Sequence, residues 1–104
     1  MLIVTTNDIV GRNIMEVKGI AQGSTVKAKH VGRDIMAGFK TLVGGEIRGY
    51  SELMIEARKE ATERMVDEAT RLGANAIVGM RYQTAEVMEG AAEVIAYGTA
   101  VVIE

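Results

Sequence analysis

The stretch 94–103 constrains the fold more than any other part of the chain. Val94, Ala96, Gly98, Ala100 and Val102 alternate with Ile95, Tyr97, Thr99, Val101 and Ile103. Successive side chains of a strand point to opposite sides of a sheet, so this segment is apolar on both. Such a strand belongs under cover on two faces. The chain has 104 residues and two helical patterns, enough to cover one face of a small sheet and hardly two. The second face therefore predicts either a contact with another subunit or a central strand lying under a long loop.

The shorter helical pattern runs over 34–43. Ile35, Met36, Phe39, Leu42 and Val43 fall on one face of a 3.6-residue repeat, with Asp34 as cap and Gly44-Gly45 as terminator. The longer one begins at Ser51 as N-cap, with Tyr50 and Ile55 placed as a hydrophobic staple, and ends at Gly73. Leu53, Ala57, Ala61, Met65, Ala69 and Leu72 make its apolar stripe. The alanines on that stripe imply a close approach to a sheet. Glu60–Arg64, Lys59–Glu63 and Asp67–Arg71 are opposite charges one turn apart on the other face.

Three further segments predict strands. Residues 2–4 precede the turn-prone Thr5-Thr6-Asn7-Asp8. Residues 14–21 place Met15, Val17, Gly19 and Ala21 on one face, and Gly23-Ser24 turns into a short piece over 25–29. Residues 74–83 place Ala76, Val78, Met80 and Tyr82 on one face against Arg81 and Gln83, before a loop carrying Glu86, Glu89 and Gly90.

Composition narrows the class. Hydrophobic residues are 48% and charged ones 25%, which suits one folded domain over 1–104 and excludes a disordered chain. No apolar run is long enough for a bilayer, and with no cysteine there is no disulfide, thiolate ligand or cysteine nucleophile. A cytoplasmic protein is the expectation. Aromatics are only 4%, so a thin core must be built from aliphatic residues and methionine, with apolar surface left over for another copy. A net charge of -2 and a dearth of stacking rings argue against nucleic acid, and no membrane partner is expected.

Gly44-Gly45-Glu46 leading to Tyr50, then Ala57-Arg58, Glu68-Ala69 and the run from Leu72-Gly73-Ala74-Asn75 through Ala76-Ile77-Val78-Gly79-Met80-Arg81 form a connected pattern. Tyr97-Gly98-Thr99-Ala100-Val101 follows, and Thr5-Thr6, Gly11 and Gly19 to Gly23 fit it as well. Over essentially its whole length the chain resembles the YbjQ-like family of small uncharacterised bacterial and archaeal proteins. The helical and strand patterns together predict an α+β fold, a small, mostly antiparallel sheet on one long and one short helix, and the resemblance implies a subunit of mixed helix and sheet. It also implies assembly into a homo-oligomeric ring, with a pentamer the expected form. The family carries the label "putative heavy-metal-binding", so a metal ion is the cofactor to test.

The residues give that label little chemistry. Soft metals take thiolate, thioether or imidazole ligands, and the chain has no Cys, one His (His30) and seven Met. Met36, Met54 and Met65 lie on helix core stripes, and Lys27, Lys29 and Arg33 surround His30 with charge that opposes a cation. A ring could still gather copies of His30 at its axis. Glu86, Glu89 and Glu93 could form a carboxylate rim for a hard cation, against the simpler role of a solvated loop. Backbone N–H groups near Gly49 to Ser51, with Arg48, could hold an anion, against capping by Ser51 alone. A Ser–His–Asp set drawn from Ser24 or Ser51, His30 and Asp34 has no distinguishing spacing.

No catalytic residue and no metal ligand is assigned on these grounds, and Arg58 is expected to pair with a carboxylate. The favoured function is a non-enzymatic oligomeric module that holds a metal ion or small ligand at the ring axis or between subunits. The alternative is an enzyme whose site forms between subunits from Tyr50, Arg58 or His30.

Overall fold

The computed structural model describes residues 1–28 and 45–104, with side chains from residue 49 onward in the second part. Its elements are β1 (Leu2–Ile3), β2 (Ile14–Ala28), α1 (Gly45–Arg71), β3 (Ala76–Met88) and β4 (Ala91–Ile103). The strands form one sheet in the order β1-β3-β4-β2. β4 pairs antiparallel with β2 and β3, and the two-residue β1 joins β3 in parallel. The architecture is therefore α+β with a mixed sheet in which antiparallel pairing dominates. Among the described residues α1 is the one helix. The short helix expected over 34–43, with Asp34, Met36 and its glycine cap Gly44, lies outside them.

The strand with two apolar faces is central, as its pattern requires. On one face Ala21, Ile77, Met80, Val94, Ala96 and Ala100 pack against Ala57, Ala61, Met65 and Ala69 of α1. On the other, Val101, Ile103, Ala76 and Val78 form a second cluster beneath Val4 and Ile9. The N-terminal segment thus roofs one end of the second face, which is the long-loop alternative in part. Towards the middle of β4 the roof stops, and Ile95, Tyr97 and Thr99 are incompletely covered.

Glycine bulges break the simple alternation expected of β2 and β3. From Val78↔Thr99 to Arg81↔Tyr97 the ladder advances three residues on β3 against two on β4. Gly79 sits at this step with φ +63°, a conformation glycine adopts without a Cβ penalty. Ala76 and Val78 consequently face the N-terminal segment, whereas Met80 faces the helix and Tyr82 reaches Thr62 on α1, oxygen to oxygen at 2.8 Å. The four residues do not share one face, because one extra residue flips every later side chain. β2 does the same: Val17 opposes Val101, then Gly19 opposes Ala100, leaving Lys18 as the extra residue.

Three boundaries also differ from expectation. Gly23-Ser24 is no turn, since β2 runs unbroken through both. α1 starts at Gly45, so Ser51 is an interior residue rather than an N-cap and the staple does not form. Glycine inside a helix costs only about 1 kcal/mol, which packing of the stripe offsets. β3 continues through Glu86 to Met88 and turns back at Glu89-Gly90, with Gly90 at φ +79°. The end of α1 is as expected. Gly73 has φ +86° and donates to the Thr70 carbonyl, while Ala74 donates to that of Ala69, the paired bonds of a glycine C-cap.

Candidate functional site

A shallow cleft of about 310 Å³ runs along the exposed side of α1, lined by Tyr50, Ser51, Met54, Ile55 and Arg58. Spacings of four and eight put Tyr50, Met54 and Arg58 on one helix face, two turns or about 12 Å from end to end. Met54 turns partly into the core, whereas Ile55 is 58% exposed. Tyr50 and Arg58, expected as contributions from neighbouring subunits to a site between them, both line this cleft of one subunit; His30, the third residue of that set, lies outside the described residues. The carboxylate expected to pair with Arg58 is not found among the described residues. Chemically the cleft offers one guanidinium and two hydroxyls beside an apolar floor. Among the described residues that line it there is no carboxylate or imidazole to act as a general base.

The densest charge network joins the end of β2 to α1. Lys27 Nζ lies 2.5 Å from Glu60 Oε2 and 3.7 Å from Glu56 Oε1. Thr25 Oγ1 donates to Glu60 at 3.3 Å, and Arg64 sits 3.9 Å from Glu60 while donating to the Ser24 carbonyl at 2.6 Å. The hydrogen bond from Lys27 holds the Glu60 carboxyl below its ordinary range, and the same bond raises Lys27. Sequence spacing within the helix pointed to Glu60–Arg64, but nothing local marked Lys27 as the nearer partner. Arg71 pairs with Glu68 rather than Asp67. This network fastens strand to helix.

The other candidates are dispersed. Glu86 lies opposite Ala92, whereas Glu93 lies opposite Ala85, so the two carboxylates sit on opposite faces of the β3–β4 hairpin and form no rim. Met65 and Met80 are buried in the helix-side core. Ser24 is on β2 facing away from α1, and Ser51 is on α1 itself. His30, Asp34, Lys29 and Arg33 lie outside the described residues, so the serine triad and an axial histidine site are not placed. Among the described residues no three His, Cys, Asp or Glu side chains converge to hold a metal ion. No described helix is long and apolar enough to cross a membrane.

Comparison with known proteins places this geometry. A family model described as "Putative heavy-metal-binding" matches residues 1–104. The UPF0145 protein of Halalkalibacterium halodurans is 62% identical over 104 residues, spanning all of this chain and 98% of the relative. That of Photobacterium profundum is 58% identical over 101 residues, covering 97% of this chain and 98% of the relative. That of Thermotoga maritima is 53% identical over 104 residues, covering the whole chain and 98% of the relative. A crystal structure from Pediococcus pentosaceus, of unknown function and assigned to the DUF74 family, superposes with a TM-score of 0.60 at 22% identity. It covers all of this chain and 98% of that one, a likeness of fold. With the glycine-capped helix end, the bulged β3 and the central β4 all encoded in the matched sequence, the chain belongs to the uncharacterised YbjQ-like family.

Proposed function

We propose that this chain is the subunit of a cytoplasmic homo-oligomeric binding module, a ring of the pentameric form implied by the family resemblance. It holds an ion or small molecule at the axis or between neighbours and has no catalytic role. One observation carries the proposal. Among the described strands β2 is outermost, and along it Met15, Val17, Ile20 and Val26 are 60%, 65%, 73% and 56% exposed. A long edge strand with unpaired backbone groups and apolar side chains is a template for pairing with another chain. The elongation of the subunit supports the same reading. Its radius of gyration is 17.3 Å, where a compact chain of this length has about 13 Å.

A cyclic assembly lets one subunit's edge meet a different surface of the next and closes without leaving an exposed end. The described lining of the cleft beside Tyr50 and Arg58 offers a guanidinium and hydroxyls, a set suited to binding. Native mass spectrometry and light scattering of untagged protein test the proposal. A discrete multiple of the 11.2 kDa subunit at micromolar concentration is expected, and a cooperatively folded monomer would refute it.

A further inference from the structure

The family description and the donor set of this chain disagree, and the disagreement itself has content. A thiophilic cation such as Zn²⁺, Cd²⁺ or Cu⁺ needs two to four convergent soft donors. The whole sequence supplies no cysteine and a single histidine. Thioethers would have to do the rest, and among the described residues they do not converge; Met54 is half-buried beside the α1 cleft, and Met36 and His30 lie outside those residues. Met65 is fully buried and Met80 nearly so. The exposed ones, Met1, Met15 and Met88, are far apart. Met1 adjoins β1 at one edge of the sheet and Met15 lies on β2 at the other. Met15 and Met88 are also separated lengthwise: Ile14 pairs with Ile103 and Met88 with Ala91, twelve residues or about 40 Å along β4. Among the described residues hard-cation donors do not converge either, and Glu86 and Glu93 are held on opposite faces.

The fold, meanwhile, asks nothing of a metal. Both hydrophobic clusters close on their own, and no buried side-chain polar atom among the described residues is without a hydrogen-bond partner. We infer that this protein folds and assembles independently of any soft metal ion, and that its ligand is not a thiophilic cation. The ligand half of this inference rests on the binding-module proposal; the folding half does not.

Untagged protein purified with a chelator, then exposed to a tenfold excess of Zn²⁺, Cd²⁺ or Cu⁺ and desalted, provides the test. Native mass spectra are expected to show the same oligomer with and without metal and no stoichiometric metal increments. The melting temperature is expected to move by less than about 1 °C, because only a ligand present well above its dissociation constant for the native state raises it appreciably. Metal retained in a fixed ratio to subunits, or a rise of about 5 °C or more, overturns the inference, and loss of that retention in His30→Ala would identify the ligand. A metal-free monomer would instead refute the assembly proposal and leave metal-independent folding standing. A metal-loaded ring would do the reverse.

Discussion

Gly23 on β2 lies directly beneath the backbone of Met65 on α1. A Cβ built at position 23 would stand 2.3 Å from the Met65 amide nitrogen and 2.5 Å from the Ala61 carbonyl oxygen. The alanines on the helix stripe bring the backbone this close, and glycine on the strand receives it. Gly23→Ala is expected to cost about 3 kcal/mol, since a helix backbone cannot rotate away from a methyl group. Gly98→Ala meets Ile77 Cγ2 at 2.6 Å, with the Val78 carbonyl oxygen at 3.1 Å and Met80 Cα at 3.3 Å; one severe overlap, relieved only by a χ1 change of the buried Ile77, should cost somewhat less, about 2 kcal/mol. Urea denaturation of both variants checks the order. Equal losses would mean that α1 shifts off β2 as easily as Ile77 turns.

Gly79 supplies a second measurable consequence. With φ +63° at the step where β3 gains a residue, it lets Val78 face Val4 and Ile9 while Met80 faces α1. Gly79→Ala keeps the volume nearly unchanged, the nearest atom to its Cβ being Asn7 Oδ1 at 3.4 Å. Its expected cost is therefore the left-handed backbone penalty alone, about 1–2 kcal/mol. Gly90→Ala, at φ +79° with nothing near its Cβ, should cost a similar amount. A loss for Gly79→Ala well above that of Gly90→Ala would show that the bulge slips register rather than bearing the strain.

These glycines also mark where the sequence was legible and where it was not. Periodicity located the long helix stripe, the central strand and the Gly73 cap, because each is a local pattern with a local cause. Gly23 reads as a turn in the sequence, since glycine's two uses, bending and close approach, look identical without the partner surface. Alternation failed at Gly19 and Gly79 for a related reason. A bulge is set by the opposing strand, and a period of two cannot report it. At the candidate site, the pairing of Lys27 with Glu60 spans the β2–α1 connection and leaves no spacing signature. Tyr50 and Arg58 share a helix face only because α1 begins at Gly45; with Ser51 as the expected N-cap, Tyr50 falls outside the helix. The covering of β4 was only half so, because Val4 and Ile9 lie in a segment without regular structure.

The Lys27–Glu60 contact sets a pH dependence. Glu60 titrates below its ordinary value near 4.5, so the unfolded chain binds a proton more readily than the native one. Its stabilising contribution is complete above that value and is lost as pH falls through the lower native pKa. Lys27 is raised above 10.5, so its contribution is complete below that pH and disappears as pH climbs through the higher native value. Glu60→Gln should flatten both limbs of a stability profile measured by thermal melting from pH 3 to pH 11. The alkaline limb should retain a remnant from Glu56. Because the Lys27 and Glu60 side chains are 22% and 29% exposed, molar salt should narrow the difference between wild type and variant. An acid limb unchanged by the substitution would assign acid sensitivity to other carboxylates.

The outer strand offers the sharpest test of self-association. Ile20 and Val26 lie on the side of β2 turned away from α1, opposite Thr99 and Glu93 of β4. Both are more than half exposed in the subunit, so a charge there should alter subunit stability by no more than about 0.5 kcal/mol. In an interface the same charge is buried without a partner, which costs several kcal/mol per contact and is repeated at each junction of a ring. Ile20→Asp and Val26→Asp should therefore yield folded monomers with unchanged circular dichroism and a light-scattering mass near 11.2 kDa. Val10→Asp is the control. Val10 is fully exposed but lies off the sheet, and its variant should assemble as the wild type does. Intact oligomers from both β2 variants would move the interface to another surface.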